Sequence, residues 1–198
     1  MPRLPALLLG ALLLAPLAVS AEDVINLDGA EAEATLERYQ ARLERQPDDL
    51  EALKAAGILV HQRNRENPDP ESLARGEAYL ERAAELDPDD RQTAAWLGSL
   101  VTMKALFESD PGRQMFWVKL GTRKLDRAVR AAPDDPVVRL TRAYNSLELP
   151  AFLRRTRFAV EDFRHYLELC RDHDCPADEL RRAEAGLAKA QGIVARHP

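Results

Sequence analysis

From Asp28 onward, apolar residues recur at helical spacing, and no segment shows the alternation of a strand. The first stripe is Leu36, Tyr39 and Leu43. The last is Leu180, Ala183, Leu187 and Ala190, with many charges on the opposite face. Period and capping signals predict eight helices, over about 29–46, 49–65, 70–87, 90–108, 112–132, 135–148, 155–171 and 177–196. Asp28 is expected to cap the first, with Glu31 completing a capping-box pattern. The tripeptide Pro-Asp-Asp occurs three times, at Pro47, Pro88 and Pro133, each time between two amphipathic stretches. Proline cannot continue a helix and aspartate is a favoured N-cap, so each tripeptide reads as a tight turn between helices.

Glycine spacing turns this pattern into a repeat. The interval from Pro47 to Gly57 equals that from Pro88 to Gly98. The interval from Gly76 to Pro88 likewise equals that from Gly121 to Pro133. In a third copy Ala143 follows Pro133 at the first of these intervals, and Ala159 takes the second small position. A glycine inside a helix costs about 1 kcal/mol relative to alanine, so four at matched positions need a reason. Close approach of two helix backbones is the expected one.

These residues resemble the tetratricopeptide repeat family, which pairs a helix A with a helix B. Leu97-Gly98, Gly121, Leu125, Ala128 and Pro133 follow the family pattern, as do Ala56-Gly57, Gly76, Leu80, Ala83 and Pro88. The third copy is degenerate, with Tyr166 and Arg171 where Ala and Pro belong. The expectation is an all-α helix-pair solenoid: repeats over 48–90, 91–135 and 136–172, an N-terminal capping helix in 22–47 and a C-terminal one in 173–198. The resemblance implies protein binding, with ligands on the concave face lined by helix A. The positions concerned are Glu51, Lys54, Ile58, His61, Gln62, Gln92, Ser99, Thr102 and Met103. The plainer reading of that face is an ordinary solvated one.

Residues 1–21 are read as an address. Arg3, the apolar run from Leu7 to Leu14, Pro16 and the small residues through Ala21 match a secretory signal. The apolar stretch from Leu4 to Val19 is shorter than the roughly 20 residues that span a bilayer. No lipidation cysteine follows it. The expected destination is the periplasm or the exterior.

Composition and charge exclude more than they assign. The 198 residues carry net charge −5, and losing residues 1–21 removes Arg3 alone, leaving −6. An acidic chain is a poor nucleic-acid binder. Aromatics are scarce at 6%, yet several gather in the A-to-B connections. Those connections hold Arg63, Arg65, Phe107, Arg113, Met115, Phe116, Trp117, Phe152, Arg154, Arg155 and Arg157. Arginine with large aromatics is the residue mix of interface hot spots, so this edge is a second candidate partner surface. Membrane-surface contact is a lesser alternative, and mutual packing of the longer connections is the plain one.

Candidate chemistry is confined to Cys170 and Cys175, with His173 between them. A disulfide, free thiols, or metal or redox work all fit the spacing. Three ligands fall short of a structural zinc site. No HExxH, GxSxG or phosphate-binding glycine loop is present, and no cofactor is expected. The function expected is a non-catalytic exported scaffold for a peptide or protein, the alternative being a metal or thiol protein built on Cys170–Cys175.

Overall fold

The computed structural model describes residues 23–171 and 175–197, and the regular structure among them is helical throughout. The expected leader over 1–21 and the ligand candidate His173 lie outside the described residues. The helices are α1 (Gly29–Arg45), α2 (Leu50–Glu66), α3 (Pro70–Leu86), α4 (Arg91–Met103), α5 (Pro111–Ala131), α6 (Pro136–Glu148), α7 (Thr156–Leu169) and α8 (Ala177–Arg196). Short 3-10 turns occupy Asp23–Asn26, Lys104–Phe107 and Ala151–Leu153.

The Pro-Asp-Asp turns form alike. The amides of Asp49, Asp90 and Asp135 donate to the carbonyls of Gln46, Asp87 and Ala132, each three residues back. The same aspartates then cap α2, α4 and α6 by accepting from Ala52, from Gln92 and Thr93, and from Val138. Each such cap contributes about 1 kcal/mol. Asp28 stands at the N-cap of α1, but the side-chain cap expected of it is corrected: its carboxylate makes no cap hydrogen bond, and Gly29 enters the helix at φ +52°. The fourth expected helix ends early as well. It tightens to 3-10 geometry after Met103, so part of the longer second connection is a turn rather than extra α-helix.

Helices pair in sequence, α2 with α3, α4 with α5 and α6 with α7. The first members α2, α4, α6 and then α8 also pack on one another in succession, which makes them one inner layer. The second members α3, α5 and α7 lie outside. α1 closes one end against α2, and α8 closes the other against α6 and α7. Burial follows this order in three separate clusters. One gathers Leu36, Leu53, Leu80 and Leu100, one Leu125 and Val138, and one Phe163, Tyr166 and Ala183.

The glycine expectation holds for one pair. A Cβ on Gly98 would stand 3.0 Å from the Gly121 carbonyl oxygen and 3.0 Å from the Leu125 amide nitrogen. In the first pair the glycines admit side chains instead. A Cβ on Gly57 would meet Leu80 Cγ at 2.5 Å, and one on Gly76 would meet Val60 Cγ1 at 2.5 Å. A second correspondence lies outside the glycines. Asp48 pairs with Arg82 at 2.8 Å and Asp134 with His165 at 2.7 Å. Arg82 stands as far beyond Gly76 as His165 does beyond Ala159.

Cys170 and Cys175 are joined in a disulfide that ties the end of α7 to the start of α8. Among the three readings left open for this pair, the bonded one is found.

A buried charge cluster holds α6 to its outer neighbours. Asp162 is fully buried and accepts from Arg142 Nε at 2.7 Å, Arg142 Nη2 at 2.8 Å and Arg139 Nη1 at 2.7 Å. Glu161 bridges the same two arginines at 3.0 and 3.2 Å. Asp126 takes both terminal nitrogens of Arg155 at 2.7 and 2.9 Å and approaches Arg142 at 3.3 Å. Burial alone would raise the Asp126 carboxyl, but hydrogen bonds and charge from Arg155 and Arg142 hold it below its usual value.

Candidate functional site

The inner helices carry two adjoining cavities. The larger is about 770 Å³ and the smaller about 540 Å³. Ile25, Trp96, Tyr144 and Glu179 stand in the walls of both. These volumes are of the size that holds a drug-like molecule or a few peptide residues.

The expected groove residues divide. His61, Gln62, Ser99, Thr102 and Met103 line the larger cavity, and Gln92 lines the smaller. Glu51, Lys54 and Ile58 line neither. Ile58 is 2% exposed and belongs to the core, which corrects its assignment to the groove. Lys54 pairs with the capping Asp90 at 2.6 Å, and Glu51 accepts from Arg42 at 3.2 Å. Both are tied to turn carboxylates or their partners, because they sit in the first turns of α2 beside the Pro-Asp-Asp junctions.

Trp96, Tyr144, Asn145 and Glu179 escaped the sequence reading. Tyr144 had a usable signal: it stands as far beyond Pro133 as Ser99 does beyond Pro88. The others had none, because the register does not tell which polar residues meet across helices.

A connected polar network lines the larger cavity. The Thr102 hydroxyl donates to the Ser99 carbonyl at 2.6 Å. Its oxygen is therefore an acceptor for Asn145, whose Nδ2 donates to it at 2.6 Å and to Ser99 Oγ at 3.2 Å. That choice turns Asn145 Oδ1 away from both hydroxyls. His61 Nε2 lies 2.8 Å from Ser99 Oγ, and the imidazole meets the Trp96 ring edge-on at 5.0 Å. Burial, aided by the Arg65 charge, lowers His61 to about 3, so the ring is neutral at ordinary pH. Gln62 Nε2 donates to the backbone carbonyl of Ile25, which brings the N-terminal turn against α2. Val24, next to it, is fully buried. On the far wall the Tyr144 hydroxyl donates to Glu179 at 3.2 Å, and Arg182 binds the other Glu179 oxygen at 2.6 Å. Burial, then the Glu179 charge, pushes the Tyr144 phenol upward.

All three A-to-B connections reach this cavity, through Pro68, Leu106 and Leu149. They therefore share one edge, but its side chains differ in kind. Trp117 is half-buried: its Nε1 donates to Glu108 at 2.9 Å, and Lys104 Nζ lies 4.1 Å from its ring centre. Arg113 pairs with Glu108 at 3.0 Å, and Arg63 with Glu33 at 3.3 Å. Arg155 is held by Asp126, with its guanidinium 4.0 Å from the Phe158 ring centre. Arg157 lies over the same ring at 4.9 Å. Phe107, Phe116 and Phe152 are exposed, Phe152 most of all at 76%. Arg65 and Arg154 are exposed too, and Met115 is half-buried.

No helix among the described residues is long and apolar enough to cross a membrane. No protein-family model matches the chain, and no curated protein is detectably similar to it.

Proposed function

We propose that this chain is an exported, non-catalytic binding protein of the tetratricopeptide type, and that it holds a peptide or protein segment in the groove of its inner helices. The observation that carries this is the pair of adjoining cavities lined by residues from α2, α4, α6 and α8. Helices fixed by caps and neighbours present preformed walls, so a bound segment loses its own freedom but little of the protein's. The exposed Phe107, Phe116 and Phe152 form a secondary contact for a larger partner. Residues 1–21 act as the leader and the Cys170–Cys175 bond suits an oxidising compartment, both pointing to the periplasm or beyond.

The test is comparative capture from envelope extract. The reading expects wild type and a Phe116→Ser/Phe152→Ser double variant to retain the same main partner, and Tyr144→Ala to lose it. Loss with the double variant alone moves the binding surface to the edge.

A further inference from the structure

The outer layer contains one helix whose charge is almost all of one sign. α5 holds six basic residues and one acidic residue, whereas α3 and α7 each hold more acids than bases. That one acid, Asp126, is engaged by Arg142 and Arg155. Phe116, Lys119, Arg123, Arg127 and Arg130 fall within about 80° of the α5 circumference and extend about 21 Å along it. All five are exposed, while Gly121, Leu125 and Ala128 on the far side of the helix are buried. Among the described residues no carboxylate pairs with Lys119, Arg123, Arg127 or Arg130. Arg123 donates only to the Lys119 carbonyl, at 3.2 Å. On a chain of net charge −5 this stripe is a local reversal of sign.

The third connection adjoins the stripe. Arg155 binds Asp126 at 2.7 and 2.9 Å, which sets that connection against the middle of α5. Phe152, Arg154 and Arg157 are exposed there, and neither Arg154 nor Arg157 has a carboxylate partner. None of these residues lines either cavity. A protein partner anchored by hot spots needs pockets for its anchors. This face offers instead a row of cations beside two projecting phenylalanines. Such a row suits closely spaced anions that are mobile enough to follow it, as lipid phosphates are. A guanidinium takes two phosphate oxygens at once, and an aromatic ring settles at the level of the headgroups. Charge and apolar insertion act together, because one such signal alone holds a protein weakly.

We infer that α5 and the third connection form a peripheral docking face for an anionic lipid bilayer, with Lys119, Arg123, Arg127 and Arg130 against headgroup phosphates and Phe116 and Phe152 in the interface. The acidic remainder of the chain is repelled by the same surface, so the outer layer meets the bilayer and the inner layer faces away. This goes beyond the groove reading and does not depend on it.

The test is co-sedimentation of the full chain with two kinds of vesicle, pure phosphatidylcholine and an equal mixture of phosphatidylcholine and phosphatidylglycerol. The apolar run from Leu7 to Leu14 has an affinity for lipid of its own wherever it is retained, so each reading is a difference between lipids or variants. The expected result is stronger binding to the mixed vesicles, weakening as salt is raised. Arg123→Gln/Arg127→Gln should reduce it about thirtyfold, at about fivefold for each charge near an anionic surface. Phe116→Ser/Phe152→Ser should reduce it about tenfold, through the apolar area withdrawn from the interface, and keep its salt dependence. Lys119→Gln/Arg130→Gln repeats the charge test if the arginine pair alters the melting transition. Absent binding, equal binding to both vesicles, or binding that the arginine pair leaves unchanged overturns the inference. Binding that the phenylalanine pair leaves unchanged overturns it as well, and retention on dextran sulfate would then make the stripe a general polyanion face.

Discussion

Two regions of this molecule bury polar groups, and they do so in opposite ways. Where α5, α6 and α7 meet, Arg139, Arg142 and Arg155 are matched by Asp126, Glu161 and Asp162, at distances of 2.7–3.3 Å. On the inner face, a comparable set of polar side chains leaves four atoms unmatched: His61 Nδ1, Gln62 Oε1, Trp96 Nε1 and Asn145 Oδ1. The first region is a nearly closed structural joint, in which Arg155 Nε is the one buried polar atom without a partner, and the second is matched far less completely. Satisfied charges are costly to break, whereas unsatisfied neutral groups already carry a desolvation cost in the folded state.

Asp162→Ala puts this contrast under the most strain. It leaves two buried guanidiniums without their main partner, so a loss of about 3–5 kcal/mol in urea unfolding is expected. A loss near that of an average surface substitution would mean the joint relaxes or hydrates, and the contrast fails. Reducing the disulfide should cost less, about 2 kcal/mol, because it closes a short loop. The melting transition should fall while the Asn145 side-chain amide signals keep their positions, since Asn145 borders only the larger cavity and Cys175 only the smaller. Displaced Asn145 signals would show that the end of the helix stack shapes the larger cavity too.

Acid separates the two regions by pH window. His61 titrates at about 3 when folded against 6.5 as its ordinary value, so below 6.5 the unfolded chain takes up a proton that the native one refuses. Stability therefore falls as pH drops from 6.5 toward 3, by up to about 1.4 kcal/mol per unit. Asp126 is depressed below 3.8, so its contribution is present above 3.8 and is lost only at lower pH. Comparing wild type with His61→Gln between about pH 6.5 and pH 4 isolates the histidine; equal slopes would refute its burial in neutral form. The smallest effect is expected at the edge, where Phe152→Ser should change stability by no more than about 0.5 kcal/mol. A larger loss in thermal melting would make that aromatic part of the fold.

The helices were readable because their signals are local. Pro-Asp-Asp fixes a turn and a cap within a few residues, while the glycine pattern announces a backbone contact that forms at Gly98 and Gly121 but not at Gly57 and Gly76, where side chains fill the space. The joint was not readable, since Arg139, Arg142 and Asp162 look like surface residues of amphipathic helices. Only the meeting of α6 with α7 buries them. The groove was partly readable. Register led to His61, Ser99 and Thr102, but included Ile58, whose side chain turns into the core. The chain start was the least legible: nothing local marks Val24 as buried or Ile25 as a wall of both cavities.

The disulfide makes the ends of the helix stack unequal. In a stack where each helix leans mainly on its neighbours, unravelling proceeds from the ends. The α7–α8 end is stitched by a covalent bond, while the α1 end is held by packing and a few polar contacts. Fraying therefore begins with the N-terminal turn and α1. Ile25 and Leu27 belong to that turn and its exit, so the first loosening of the fold opens a side of the larger cavity long before the rest of the protein comes apart.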